Sequence, residues 1–151
     1  MLRKHSEEKK SPYSCTADVR AQRKPELPRI QSQLRQWPCQ IRLIPINAPY
    51  LDGADLLISA DCAAYSRGSF HGDFMQDRVT LIGCPKLDAD DYSERLSEII
   101  SNNNIKSINI VRMEVPCCNG LETAVKRAIG ASGKSIPWQT VTLSTDGKIL
   151  E

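Results

Sequence analysis

Four cysteines occupy places where a fold could gather them: Cys62 in SADCAA, Cys84 in LIGCPKLD, and the adjacent Cys117 and Cys118 in EVPCCNG. The thiolate is the metal-binding and nucleophilic form of cysteine, and converging thiolates repel unless a cation offsets them. Three or four such groups suit a tetrahedral zinc ion or an iron–sulfur cluster. His71, in GSFHGDF, lies on the loop after Cys62 and is a candidate fourth ligand. The adjacent pair implies divided labour: one thiol faces the site while the other starts a helix or lies on the sheet. Cys117 is the expected ligand, with Cys118 close behind. A second chemistry is open to the same residues. A thiol near a helix N-terminus has its pKa lowered, so Cys118, or Cys117, is a candidate nucleophile of a thiol-dependent redox enzyme. Cysteine also packs as a small hydrophobe, and Cys15 and Cys39 read as structural or incidental.

Only a fold can bring residues 62, 84, 117 and 118 together. Short apolar runs predict strands over QIRLIPI (40–46), ADLLISADC (54–62), RVTLIGC (78–84), SINIVRMEV (107–115) and WQTVTLST (138–145). Between them, YSERLSEIISNN (92–103) places Tyr92, Leu96, Ile99 and Ile100 on one helical face, with DADD ahead as cap and dipole partner. NGLETAVKRAIGASG (119–133) does the same with Leu121, Ala124, Val125, Ala128 and Ile129, ending at glycines. Residues 63–77, interrupted by Gly68 and Gly72, read as a broken helix or a mobile loop. Near-continuous apolar strands alternating with helices predict an α/β fold over residues 39–151. It is expected as a single three-layer, doubly wound domain with a mostly parallel sheet of about five strands. In such sheets functional groups gather outside the carboxyl ends of the strands. Cys62, Cys84 and the Cys117–Cys118 pair follow the second, third and fourth predicted strands. Cys39, at the start of the first, is expected at the opposite edge. Pro85 and Pro116 stiffen the loops, while Gly83 and Gly120 permit close backbone approach.

The 151 residues, 40% apolar and 25% charged, suffice for one ordinary domain. No apolar run approaches the roughly 18–20 residues that span a bilayer. The opening MLRKHSEEKKSPYS lacks an apolar segment behind its basic residues, so a cytoplasmic address is expected. Residues 1–36 hold nine Lys/Arg against four Asp/Glu, whereas the remainder holds eleven against fourteen. A basic, irregular arm (1–38) therefore precedes a mildly acidic domain. The arm lacks interleaved aromatics and any reader motif, which argues against nucleic acid as the partner. Six cysteines without an export signal argue against a disulfide framework. GASGKS (130–135) lacks the spacing and preceding strand of a phosphate loop. Asp61 and Asp88 are available as acids, bases or helix caps, but no Ser/His/Asp arrangement and no glycine-rich first turn accompany them.

The segments NAPYLDGADLLISADCAAYSRGSFHGDF, VTLIGCPKLDADDY, VRMEVPCCNGL and STDGKILE, within residues 33–151, resemble the C-terminal region of ferredoxin-type 4Fe-4S iron–sulfur-binding proteins of anaerobic bacteria and archaea. EVPCC and GCPKLD are the more specific parts. The resemblance implies an electron-transport setting, an iron–sulfur cluster, and a role for Cys62, Cys84, Cys117 and Cys118; zinc is the alternative that the thiols themselves allow. It also implies a ferredoxin-like carrier or redox enzyme as partner, while the short apolar runs predict no membrane. Members of that family begin with a ferredoxin module carrying C-x2-C-x2-C-x3-C-P runs; no such run occurs here. Three readings result: an accessory iron–sulfur or metal-binding domain, a thiol-dependent enzyme, and a non-catalytic module that docks a ferredoxin.

Overall fold

Four of the five predicted strands form: β1 (Asp55–Ala60), β2 (Val79–Gly83), β3 (Ser107–Met113) and β4 (Trp138–Leu143). They make one all-parallel sheet in the order β2-β1-β3-β4. The computed structural model describes residues 28–89 and 91–150. Cys15 and most of the predicted arm lie outside the described residues.

The expected first strand is a correction. Ile41–Leu43 is a 3-10 turn, and only Gln40 bridges to the sheet, beside Ile82. Ile41 and Ile44 are nevertheless fully buried. A short apolar run reads the same for a buried strand and a buried helical turn. Here Pro38, Pro45 and Pro49 hold the chain away from a second row of ladder bonds.

Between β1 and β2 the chain forms a one-turn helix, α1 (Ala63–Ser66), and a π-turn at His71–Met75, the interruption expected from its glycines. α2 (Ser93–Asn102) and α3 (Asn119–Ser132) are the two full helices. Asp91 accepts the Ser93 N–H at 2.9 Å at the start of α2. α2 buries Leu96, Ile99 and Ile100, and α3 buries Leu121, Ala124, Val125 and Ala128. α3 ends at Gly133, whose φ of 66° is the left-handed cap that favours glycine. Lys134 reaches back to α2, and its ammonium donates to the carbonyls of Ile100, Ser101 and Asn103, each at 2.9 Å. The lysine of the GKS triplet is thus spent on a helix terminus.

The register sorts the sheet into two faces. Leu56, Ile58, Leu81, Ile108 and Ile110 share the face that carries α2 and α3. Arg112, on the same face, pairs with Glu122 of α3 at 3.0 Å. The opposite face, with Leu57, Ser59, Thr80, Asn109 and Val111, is covered by α1 and the π-turn. The crossover from β1 to β2 runs on one face and the two later ones on the other, as double winding requires.

The compact unit runs Ser32–Glu151, so Ser32–Pro38, read above as part of the arm, packs with the domain. Gln36 explains why. Its buried side-chain amide donates to the Thr80 carbonyl and accepts the Thr80 N–H. Cys39 continues along the same edge, its carbonyl accepting the Ile82 N–H at 2.8 Å. The outer edge of β2 is thereby covered over three residues, which blunts a surface that would otherwise pair with other chains. Among the described residues no helix is long and apolar enough to cross a membrane.

Candidate functional site

The strand order places the ends of β2, β1 and β3 side by side. Cys84, Cys62 and the Cys117–Cys118 pair leave those three ends in that sequence across the sheet. The chain turns from β1 to β2 on one side, and its next strand, β3, lies on the other. The winding reverses between β1 and β3, where doubly wound sheets open a crevice. Cys62 and the adjacent pair flank that point.

Local geometry decides which way each thiol faces. Cys62 caps α1, its carbonyl accepting the N–H groups of Tyr65 and Ser66 at 3.2 and 3.1 Å, and the residue is exposed. α1 is held down firmly. The Ser66 hydroxyl lies 3.6 Å from the Met113 sulfur, and the Arg67 guanidinium donates to the Gly147 carbonyl at 2.8 Å. Gly147, at φ 82°, comes so close that a Cβ there would stand 2.1 Å from the Ser66 carbonyl oxygen. On the other side of the crevice, Pro116–Cys118 forms a 3-10 turn that runs straight into α3. Cys117 is exposed and Cys118 is buried.

Burial pushes the Cys118 thiol up, and the charges of Cys117 and Cys62 push it further, against a hydrogen bond from the Met113 backbone. Cys118 is thereby held above the ordinary thiol range, not below it as expected at a helix N-terminus, because its sulfur lies inside the core.

Cys84 is half-buried. Its loop is fastened by Tyr92. The Cys84 N–H donates to the tyrosine oxygen at 2.8 Å, the tyrosine hydroxyl donates to Asp88, and the Cys84 carbonyl accepts the N–H groups of Leu87 and Asp88. Burial first, then Asp88, pushes the Tyr92 phenol up. The ring lies so close to β2 that a Cβ on Gly83 would sit 2.7 Å from it. Gly120 brings the start of α3 against the same loop, since a Cβ there would be 3.1 Å from Pro85. Asp61, next to Cys62, is pushed up by burial and by Asp88, and accepts a 3.3 Å bond from Gln40. Arg42 lies 3.6 Å from Asp88.

His71 is engaged elsewhere. Its Nδ1 accepts the Gln33 N–H at 3.0 Å, and it lines a cavity that none of the four cysteines lines. Cys39 also lines that cavity, with Asp61 and Ile82, so it sits toward the carboxyl ends of β1 and β2 and not at the opposite edge. The expectation placed it by a strand that does not form. The roles of Tyr92 and Thr80 were not anticipated: Tyr92 carried only the signal of an apolar helix face, and Thr80 carried none.

For a metal or cluster the donors are of the right kind, soft thiols on turns that follow neighbouring strands. Among the described residues, however, no group of three or more His, Cys, Asp or Glu side chains is arranged to hold an ion. Cys62 and Cys117 are the exposed members, and each cysteine turns its sulfur about a single side-chain bond.

Residues 48–151 match the family model described as a Rossmann-like domain. A protein of Archaeoglobus fulgidus described as uncharacterized is 33% identical over 118 residues, covering 78% of this chain and 83% of its own. No solved structure matches the chain. With a four-stranded parallel sheet wound on both faces, the chain belongs to the Rossmann-like domain family.

Proposed function

We propose that this domain is an accessory module of a ferredoxin-type electron-transfer system, and that its working part is the thiol cluster Cys62, Cys117 and Cys118. The observation that carries the reading is the placement of Cys62 and of the Cys117–Cys118 pair just past the neighbouring ends of β1 and β3, where the winding reverses. The resemblance of EVPCC and GCPKLD to ferredoxin-type proteins supports the setting. A soft metal ion or iron–sulfur cluster held there would supply one-electron chemistry or a structural tie to a partner. The chain's own contribution is positional. β1 and β3 set the two thiol-bearing turns in register, Gly147 and Arg67 hold α1 against β3, and Cys118 stands buried at the start of α3. Protein purified anaerobically is expected to carry iron with acid-labile sulfide, or zinc, and to show thiolate-to-metal absorption. A metal-free, folded and redox-silent preparation would contradict the proposal.

A second reading, a docking module without turnover, is favoured by a different observation. Three large apolar residues near the same ends of β1 and β2 are exposed: Leu43 by 65%, Tyr65 by 94% and Leu87 by 82%. Capture of a ferredoxin that survives Cys→Ser changes at positions 62, 84, 117 and 118 would support this reading over the first.

A further inference from the structure

The two edges of the sheet differ. The outer edge of β2 is covered by residues 36–39, whereas the first half of β4 has no such cover among the described residues. The ladder fixes which groups of β4 are left over. Ile108 donates its N–H to the Pro137 carbonyl at 3.0 Å, and Glu114 donates to the Leu143 carbonyl at 2.8 Å. Backbone groups alternate sides along a strand. Pro137, Gln139, Val141 and Leu143 therefore face β3, and Trp138, Thr140 and Thr142 face outward. The returning chain closes the far end of this edge, where the Leu150 N–H donates to the Thr142 carbonyl at 2.9 Å. At the near end, no described residue bonds the backbone N–H or C=O of Trp138 or Thr140. Residues 138–141 hold no charge and no proline, the devices that commonly keep a strand edge from pairing. Trp138 and Gln139 are exposed.

We propose that this edge pairs antiparallel with the same edge of a second copy of the chain, joining two sheets across a two-fold axis at Gln139. The free groups are self-complementary. Trp138 of each copy exchanges both backbone bonds with Thr140 of the other, and none of the four groups on either chain is left over. Gln139 meets Gln139 of the second copy as the intervening pair, where side chains come closest. A register shifted toward Thr142 is blocked, because its carbonyl is already taken by Leu150. Charge agrees with this order. On α3, the Lys126 ammonium stands 4.9 Å from the centroid of the Trp138 ring. Glu122, one turn earlier, is drawn toward Arg112, whose register partner is Thr142. The axis reverses that order, so Lys126 of each copy is set beside the Glu122 end of the other copy's α3. A second copy supplies this reversal by symmetry. The open stretch begins β4, at the other end of the sheet from the thiols, so the pairing is separate from them.

The test is sedimentation velocity of the full chain from micromolar to millimolar concentration, with reductant and chelator present so that neither thiols nor metal bridge two copies. The mass is expected to rise with concentration toward two chains. Hydrogen exchange at the Trp138 and Thr140 amides is expected to slow as the dimer forms. Gln139→Glu sets two carboxylates face to face at the axis and is expected to weaken the dimer about fivefold. Thr140→Pro removes an outward N–H, a change that edge strands tolerate, and is expected to weaken it about tenfold or more. Circular dichroism checks that both variants keep the fold, and Gln139→Glu alone carries the test if Thr140→Pro does not. The proposal is overturned if the chain stays monomeric at millimolar concentration, which would leave the edge to a strand of another protein. It is equally overturned if a dimer forms without slowing those amides, or if Gln139→Glu dimerises as the natural protein does.

Discussion

Cys118 is the buried member of the thiol edge. Its sulfur lies inside the domain, and burial raises the thiol above its ordinary range. Cys62 and Cys117, both exposed, are the accessible thiols. Near neutral pH, mass-mapped alkylation of the metal-free protein is therefore expected to modify Cys62 and Cys117 first, with Cys118 slower by tenfold or more. Preferential modification of Cys118 would restore the nucleophile reading. Gly147 is the other residue on which the site depends. Gly147→Ala must place a Cβ 2.1 Å from the Ser66 carbonyl oxygen at a φ of 82°. It is expected to cost about 1–3 kcal/mol in denaturant unfolding and to loosen Cys62, seen as altered alkylation of that thiol alone. The placement of Cys62, Cys84, Cys117 and Cys118 after strand ends was legible, because strand ends are readable from apolar runs followed by proline, glycine or acid. The contact His71 makes was not legible, because sequence proximity to Cys62 says nothing of the Gln33 N–H, 38 positions away, that its Nδ1 accepts.

The elements owe their places to contacts at their ends as much as to their apolar faces. α2 is capped at its carboxyl end by Lys134, whose ammonium meets three carbonyls. Lys134→Met keeps the stem and removes the charge, and is expected to lower stability by about 1 kcal/mol, measured as a fall in melting temperature that high salt does not reproduce in the variant. α3 is tied to β3 by Glu122, which pairs with Lys126 at 2.6 Å and Arg112 at 3.0 Å. The Lys126 bond, then the charges of Lys126 and Arg112, hold its carboxyl below the usual glutamate range. A depressed carboxylate stabilises the fold above the ordinary glutamate value and loses that contribution as pH falls through its own lower value. Glu122→Gln is accordingly expected to melt below the natural protein at neutral pH, with the gap closing in acid. A gap independent of pH would show that the pair contributes nothing through charge. β1 to β4, α2 and α3 were readable because each buries a periodic apolar set. The segment 40–46 was not, because its apolar run carries no period and its prolines act through geometry that a hydropathy pattern does not record.

At the scale of the whole molecule, the order β2-β1-β3-β4 converts three distant sequence positions into neighbours. A single reversal of winding separates Cys62 from Cys117 and Cys118 across the sheet edge. The fold class could be read from alternation alone, since parallel strands buried on both faces leave a pattern that few other architectures share. The cavity above β1 and β2 could not, because it is bounded by residues from 34 to 82 whose only common property is where the chain brings them. The central claim is that Cys62, Cys117 and Cys118 together take a soft metal or iron–sulfur centre. It is tested most directly by metal and sulfide content per chain, determined anaerobically for the natural protein and for Cys62→Ser, Cys117→Ser and Cys84→Ser. The account predicts a loaded natural protein, loss of most metal in the first two variants, and retention in the third. A folded natural protein without metal, or equal loading in all four, would contradict it.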